Sequence, residues 1–330
     1  MALRLTKALS QAALTLLVLL IACFGLTRLA YQNPAAMLAP RNATQEGIAA
    51  VARALRLDEP WYQQLWYYLW RGPDVQGAKM GLFNWPPGLG YSFRKQAPVT
   101  DLILDKIPVT LSLVAGAVVL WFAWALLAGV WAAKNQGRWQ DHLSGAVSFV
   151  FMATPLILSG ILVSYVLFYQ LTQAGWPLFP SSGYVALTSD PWQWARHLAL
   201  PWITLAMVQA GTFQRITRGA VLDVAGHDYI RTARAKGLGE GRVWYNHALG
   251  AGLNPVITLG GLEIGTMLGG AIVTETIFGL DGLGRLAISS ALDGDFPVVI
   301  GTTITAGAGI ILMTTLSDLW IAARERRPLS

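Results

Sequence analysis

The chain has 330 residues, 54% of them hydrophobic and only 13% charged, whereas a soluble domain carries about 25% charged residues. Water is therefore excluded as the solvent for most of the chain, and the single cysteine, Cys23, excludes an internal disulfide framework and a thiolate zinc cluster. The formal charge of +6 raises nucleic-acid binding, but basic residues of membrane proteins collect in cytoplasmic loops, so the placement of the arginines decides the matter.

A helix that crosses the hydrocarbon core needs about 20 mostly apolar residues. Six stretches reach or approach that length: about Leu9 to Ala30, Pro108 to Ala133, Leu143 to Tyr169, Leu198 to Phe213, Pro255 to Phe278 and Val298 to Ala322. The first contains Leu20-Ile21-Ala22-Cys23, which has the form of a lipoprotein cleavage box, but the apolar run continues through Leu26 and predicts an uncleaved spanning helix. In the long segment that follows, Ile48, Val51, Ala52, Leu55 and Leu57 recur at helical spacing. The aromatic cluster Trp61, Tyr62, Trp66, Tyr67, Tyr68 and Trp70 predicts a helix anchored at a membrane interface. From Gly72 to Gly90, glycines and Pro73, Pro86 and Pro87 mark a loop.

The fourth stretch is short and holds Pro201 and Gln209. After it, Leu222, Ala225, Tyr229 and Ala233 predict the apolar stripe of one short helix. Gly237-Leu238-Gly239 then breaks it, and a second short helix with Val243, Trp244 and Ala248 leads back to the membrane at Asn254-Pro255. In the fifth stretch, Gly261, Gly265 and Gly269 repeat every four residues and predict close backbone approach by another helix. Glu263 is the one carboxylate expected deep in a span, whereas Glu275 is expected near a helix end within reach of water.

Charge orients these elements. Lys134 and Arg138, the run from Arg215 to Arg242, and Arg324, Arg326 and Arg327 fall on one side if the spans alternate, together with Arg4 and Lys7; the short opposite loops offer Arg196 and Arg285. Both termini are thus predicted to be cytoplasmic, with no nucleic-acid partner needed to explain the arginines. The expected organisation is a cytoplasmic N-terminus and first helix (1–30), an external subdomain (31–107), a five-helix core (108–322) with a cytoplasmic loop at 215–252, and a tail (323–330).

Reactive motifs are missing. No lysine is followed by Ser or Thr, so the usual phosphate-binding loop is absent, and His142, His197, His227 and His247 lack metal-ligand spacing. No cofactor or metal is expected in this chain.

The stretch Asp228 to Leu238, with Tyr229, Arg231, Ala233, Arg234, Ala235, Lys236 and Gly237, resembles the cytoplasmic EAA loop of the permease subunits of binding-protein-dependent ABC importers, in particular the oligopeptide/dipeptide/nickel group. The likeness continues through Gly88 to Phe93, Asn254-Pro255-Val256, Gly269-Gly270-Ala271, Glu275 to Phe278 and Gly282 to Arg285. It implies an all-α membrane protein with six transmembrane helices of the type I importer arrangement, in the bacterial cytoplasmic membrane. It also implies a loop docked in a separate ATPase subunit, with ATP and Mg bound there, and as partners a second permease, two ATPase subunits and an extracytoplasmic solute-binding protein. Short peptides are the expected solute, with nickel, glutathione-like molecules or sugars as alternatives; a secondary transporter or channel is the alternative from another class.

Overall fold

The computed structural model describes residues 2–30, 35, 44–54, 56–72, 81–84, 87–92 and 94–325. Expectations for Leu55, Pro73, Pro86, Phe93, Arg326 and Arg327 lie outside the described residues. The chain divides into two compact units: Met1–Pro108 with Gly282–Ile311, and Val109–Asp281 with Leu312–Ser330.

In the first unit, the helix Ala2–Ala30 meets the aromatic helix Trp61–Trp70. Leu20 and Phe24 share a buried cluster with Leu65, Tyr68, Ile300 and Ile304. The opposite face of the aromatic helix stays exposed at Tyr62, Trp66 and Trp70. A two-residue hairpin pairs Tyr91–Ser92 with Ala97–Pro98. Its Ser92 hydroxyl donates to Asp295 across 2.5 Å, just before the helix Phe296–Glu325. Burial pushes the Asp295 carboxyl up, against the Ser92 hydrogen bond and the nearby Lys95 and Arg94 charges.

The second unit is a helical bundle around Leu113, Ala117, Trp121, Ala125, Leu205, Ala210, Phe213 and Val256. Its central member is the 35-residue helix Pro191–Ala225, capped by Asp190, whose carboxylate accepts from the backbone N–H groups of Trp192 and Gln193. Glycines set how closely the neighbours approach. A Cβ on Gly211 would stand 2.5 Å from the Ser148 carbonyl oxygen, and one on Gly252 would stand 2.9 Å from that of Ala220.

Among the described residues, three helices are both long and strongly apolar: Val99–Lys134, Leu156–Gln173 and Phe296–Arg324. The remaining expected spans depart from their predicted form in instructive ways. The third is two helices, Trp139–Ala153 and Leu156–Gln173, because Pro155 forces Thr154 into extended backbone. The fourth is not short: Pro191–Ala225 runs through Pro201 without a break. The fifth ends at Leu268, where Gly269 caps it and Gly270 takes φ +121°, and the chain restarts as Ile272–Ile277. At its other end, this helix does not begin at Pro255. A turn Glu240–Arg242 and a π-helical turn Val243–Ala248 lead into Leu249–Leu268, with Pro255 inside.

Candidate functional site

The segment Asp228 to Leu238 is built as a small capped helix. Pro191–Ala225 stops at Gly226, His227 is extended, and Asp228–Ala235 starts afresh. The single stripe expected from Leu222 to Ala233 is therefore corrected: the chain breaks at Gly226-His227, so Leu222 and Ala225 belong to the long helix. Tyr229 is 44% exposed, and it is Ile230, together with Ala233, that is buried. Both pack in a cluster with Val130, Ala133, Val221, Val243, Trp244 and Ala248.

The helix ends on the pattern that glycine favours. Gly237 has φ +77°, its N–H donates to the Arg234 carbonyl at 2.9 Å, and the Leu238 N–H donates to the Ala233 carbonyl at 3.3 Å. This is a Schellman closure, and Leu238 packs in the same cluster as Ala233, which supplies its usual apolar contact.

A side-chain network then fixes this turn to the next helix. The Arg234 Nε donates to Glu240 at 2.9 Å, and the Trp244 indole N–H donates to the other Glu240 oxygen at 2.7 Å. The Arg234 guanidinium also lies 5.6 Å from the Trp244 ring centroid. These contacts hold the Glu240 carboxyl below the usual carboxylate range, the Arg234 hydrogen bond contributing most. Arg234 is therefore tied to the next helix although its side chain is still 36% exposed, while Tyr229, Arg231, Ala235 and Lys236 are exposed without such a tie to that helix. Arg231 and Asp228 form a loose, highly exposed pair at 3.5 Å, which contributes little to stability.

The other candidate residues lie elsewhere in the unit. A Cβ on Gly261 would stand 1.8 Å from the Ser317 Oγ and 3.0 Å from the Met313 carbonyl, so this backbone approaches the last helix closely. Gly265 is buried on the same helix, and Gly269 is its cap rather than part of its packing face. Glu263 is half-buried and accepts a hydrogen bond from Gln209. Glu275 corrects its expectation: it is fully buried, and the Thr110 hydroxyl donates to it at 2.8 Å. The break at Gly269 to Ala271 turns Ile272–Ile277 so that this carboxylate faces inward, away from water.

Among the pairings that sequence reasoning missed is that of Asp141 with Arg218. The guanidinium donates twice to the carboxylate, both times at 2.7 Å, and the Gly137 N–H adds a third hydrogen bond at 3.0 Å. Arg218 holds the Asp141 carboxyl below its usual range, against the effect of burial. The partners are 77 residues apart, so no local spacing signals them.

Residues 125–329 match the family model described as binding-protein-dependent transport system inner membrane component, and residues 1–114 match the model for the N-terminal part of such components. A protein of Brucella abortus (strain 2308) assigned as a peptide transport system permease is 34% identical over 321 residues, covering 97% of each chain. The glutathione transport system permease protein GsiC of Escherichia coli (strain K12) is 33% identical over 309 residues, or 94% of this chain and 93% of its own. A chain of a solved amino acid ABC transporter aligns with 69% of this chain and 95% of its own, at 19% identity and a TM-score of 0.44.

Proposed function

The chain belongs to the family of binding-protein-dependent transport system inner membrane components; it is a permease subunit of an ABC importer, and we propose that it carries short peptides and takes its driving force through the helix Asp228–Ala235. The observation that carries the coupling reading is the form of that helix. Its inner face is fixed by Ile230 and Ala233 and its end by Gly237, while Tyr229, Arg231, Ala235 and Lys236 are presented outward as a preformed knob. A knob of this kind suits docking by an ATPase subunit that binds ATP and Mg. The closest fit to the arginine distribution is six spans with both termini cytoplasmic and residues 31–107 outside. The peptide reading rests on relatives assigned to peptide and glutathione transport. Half of the pathway comes from this chain in this reading, and the rest from a second permease fed by an extracytoplasmic binding protein.

The rival is a secondary transporter worked by Glu263, the carboxylate held by Gln209. One reconstitution separates the two. The chain in liposomes with the second permease, both ATPase subunits and the binding protein accumulates peptide only with ATP, and alone it accumulates none under a pH gradient. Uptake by the lone chain that disappears in Glu263→Gln overturns the importer-subunit reading.

A further inference from the structure

Between the helices Trp139–Ala153 and Pro191–Ala225 lies an open cleft of about 990 Å³. Its lining is mixed. Phe149 and Met152 on the first helix and Ile216 on the second are apolar, and Phe149 is 66% exposed. The charged lining residues Asp141, Arg215 and Arg218 stand among polar His142, Thr212 and Gln214. The twofold hydrogen bond between Asp141 and Arg218 offsets those two charges within the protein. Arg215 has no such partner among the lining residues: its guanidinium rests on the Met152 sulfur at 3.8 Å, a weak acceptor, and the side chain is exposed. An exposed guanidinium with five donors beside apolar side chains matches an amphiphile whose head is a phosphate.

We propose that this cleft binds an anionic phospholipid, with Arg215 taking the phosphodiester and Phe149, Met152 and Ile216 taking an acyl chain. The position favours lipid over a soluble anion. Arg215 is the first arginine after Arg196 along the helix Pro191–Ala225, which in the six-span reading puts it at the cytoplasmic end of the span, where basic pockets between helices meet anionic lipid. The exposed side chains of Leu143, Phe149 and Val150 continue the apolar surface outward from the cleft on the same helix. The site rests on the six-span reading for its depth.

The test uses the full chain in nanodiscs of phosphatidylcholine doped with phosphatidylglycerol, with retained lipid counted by native mass spectrometry. Wild type keeps phosphatidylglycerol, Arg215→Gln keeps about tenfold less, the factor expected for one charge-assisted hydrogen bond, and Arg215→Lys lies between them. Arg242→Gln, an exposed arginine outside the cleft, retains as much as wild type. Equal loss in Arg242→Gln reduces the effect to general surface charge and overturns the site. Competition by soluble glycerol phosphate makes it a free-phosphate site, and displacement by transported peptide makes it part of the pathway; either result overturns the lipid assignment. A cysteine at Gly219 that an impermeant maleimide labels from outside refutes the topology instead, whatever the lipid count.

Discussion

Replacing Gly237 by alanine isolates the backbone contribution to the capped helix Asp228–Ala235. A Cβ there meets nothing within 4 Å, so no packing clash enters; the whole cost comes from holding an L-residue at φ +77°. That cost is about 1 to 2 kcal/mol. Gly239, two residues on, has φ −62° and equally open surroundings, which makes Gly239→Ala the matched control. The eight-residue helix is held by only two buried side chains, Ile230 and Ala233, and the strain acts directly on its opening equilibrium. A cost of that size raises the open population about 5- to 30-fold. Amide hydrogen exchange over 228–238 in the reconstituted protein reads this directly: Gly237→Ala exchanges faster by that factor, and Gly239→Ala changes little. Gly237→Val adds β-branching to the same strain, and loses ATPase-subunit association and uptake while still inserting in the membrane. Equal exchange in the two alanine variants, or full uptake by Gly237→Val, refutes the reasoning.

The Asp141–Arg218 pair gives a pH signature. Because the folded-state carboxyl is depressed, its stabilisation is present above the ordinary carboxylate value of about 3.9 and is lost as pH falls through the lower folded value. Thermal unfolding scans below pH 4 show a loss for wild type that Asp141→Asn lacks, and Asp141→Asn is less stable at neutral pH by about 1 to 3 kcal/mol. Gly261→Ala destabilises the bundle by about 1 to 3 kcal/mol through overpacking against Ser317 and Met313. Gly219→Ala, in the interior of a helix with open surroundings, is neutral or stabilises by up to about 1 kcal/mol in the same melting assay. Cysteines at Asp58 and Asp223 are labelled by impermeant maleimide from opposite sides of the membrane; labelling from the same side refutes six spans.

Signals that act within a few residues were legible in the sequence, and those that depend on distant partners were not. Gly237 announced a helix end because left-handed backbone is a local demand that glycine meets. Pro155 was equally local, yet the hydrophobic run on both sides masked the break it imposes on Thr154, since lipid-facing composition continues through a kink. Pro201 misled in the opposite direction. The packing of Leu198, Leu200, Leu205 and Ala206 in the buried core keeps the helix continuous across it, a tertiary effect with no trace in spacing. The site shows the same division. The exposed residues Tyr229, Arg231 and Lys236 were marked by their motif, but the turn of Arg234 toward Glu240 depends on Trp244 standing one helical turn beyond that carboxylate. Burial of Glu275 follows from the break at Gly270, which the glycine repeat had suggested was uninterrupted helix.

Continuity of Pro191–Ala225 has a mechanical meaning. At roughly 1.5 Å per residue its 35 residues make a rod about 52 Å long, well beyond the roughly 30 Å hydrocarbon core. A close backbone approach lies at Gly211 against the Ser148 carbonyl; taken as a fulcrum, it leaves arms of about 30 Å toward Pro191 and about 21 Å toward Ala225. If the helix Asp228–Ala235 is the coupling element proposed above, a sideways push on the Ala225 end is returned at the Pro191 end in the opposite direction, enlarged by about 1.4 through the ratio of those arms. The chain segments packed beside it are interrupted, at Thr154-Pro155 and at Gly269 to Ala271, whereas Pro191–Ala225 is continuous.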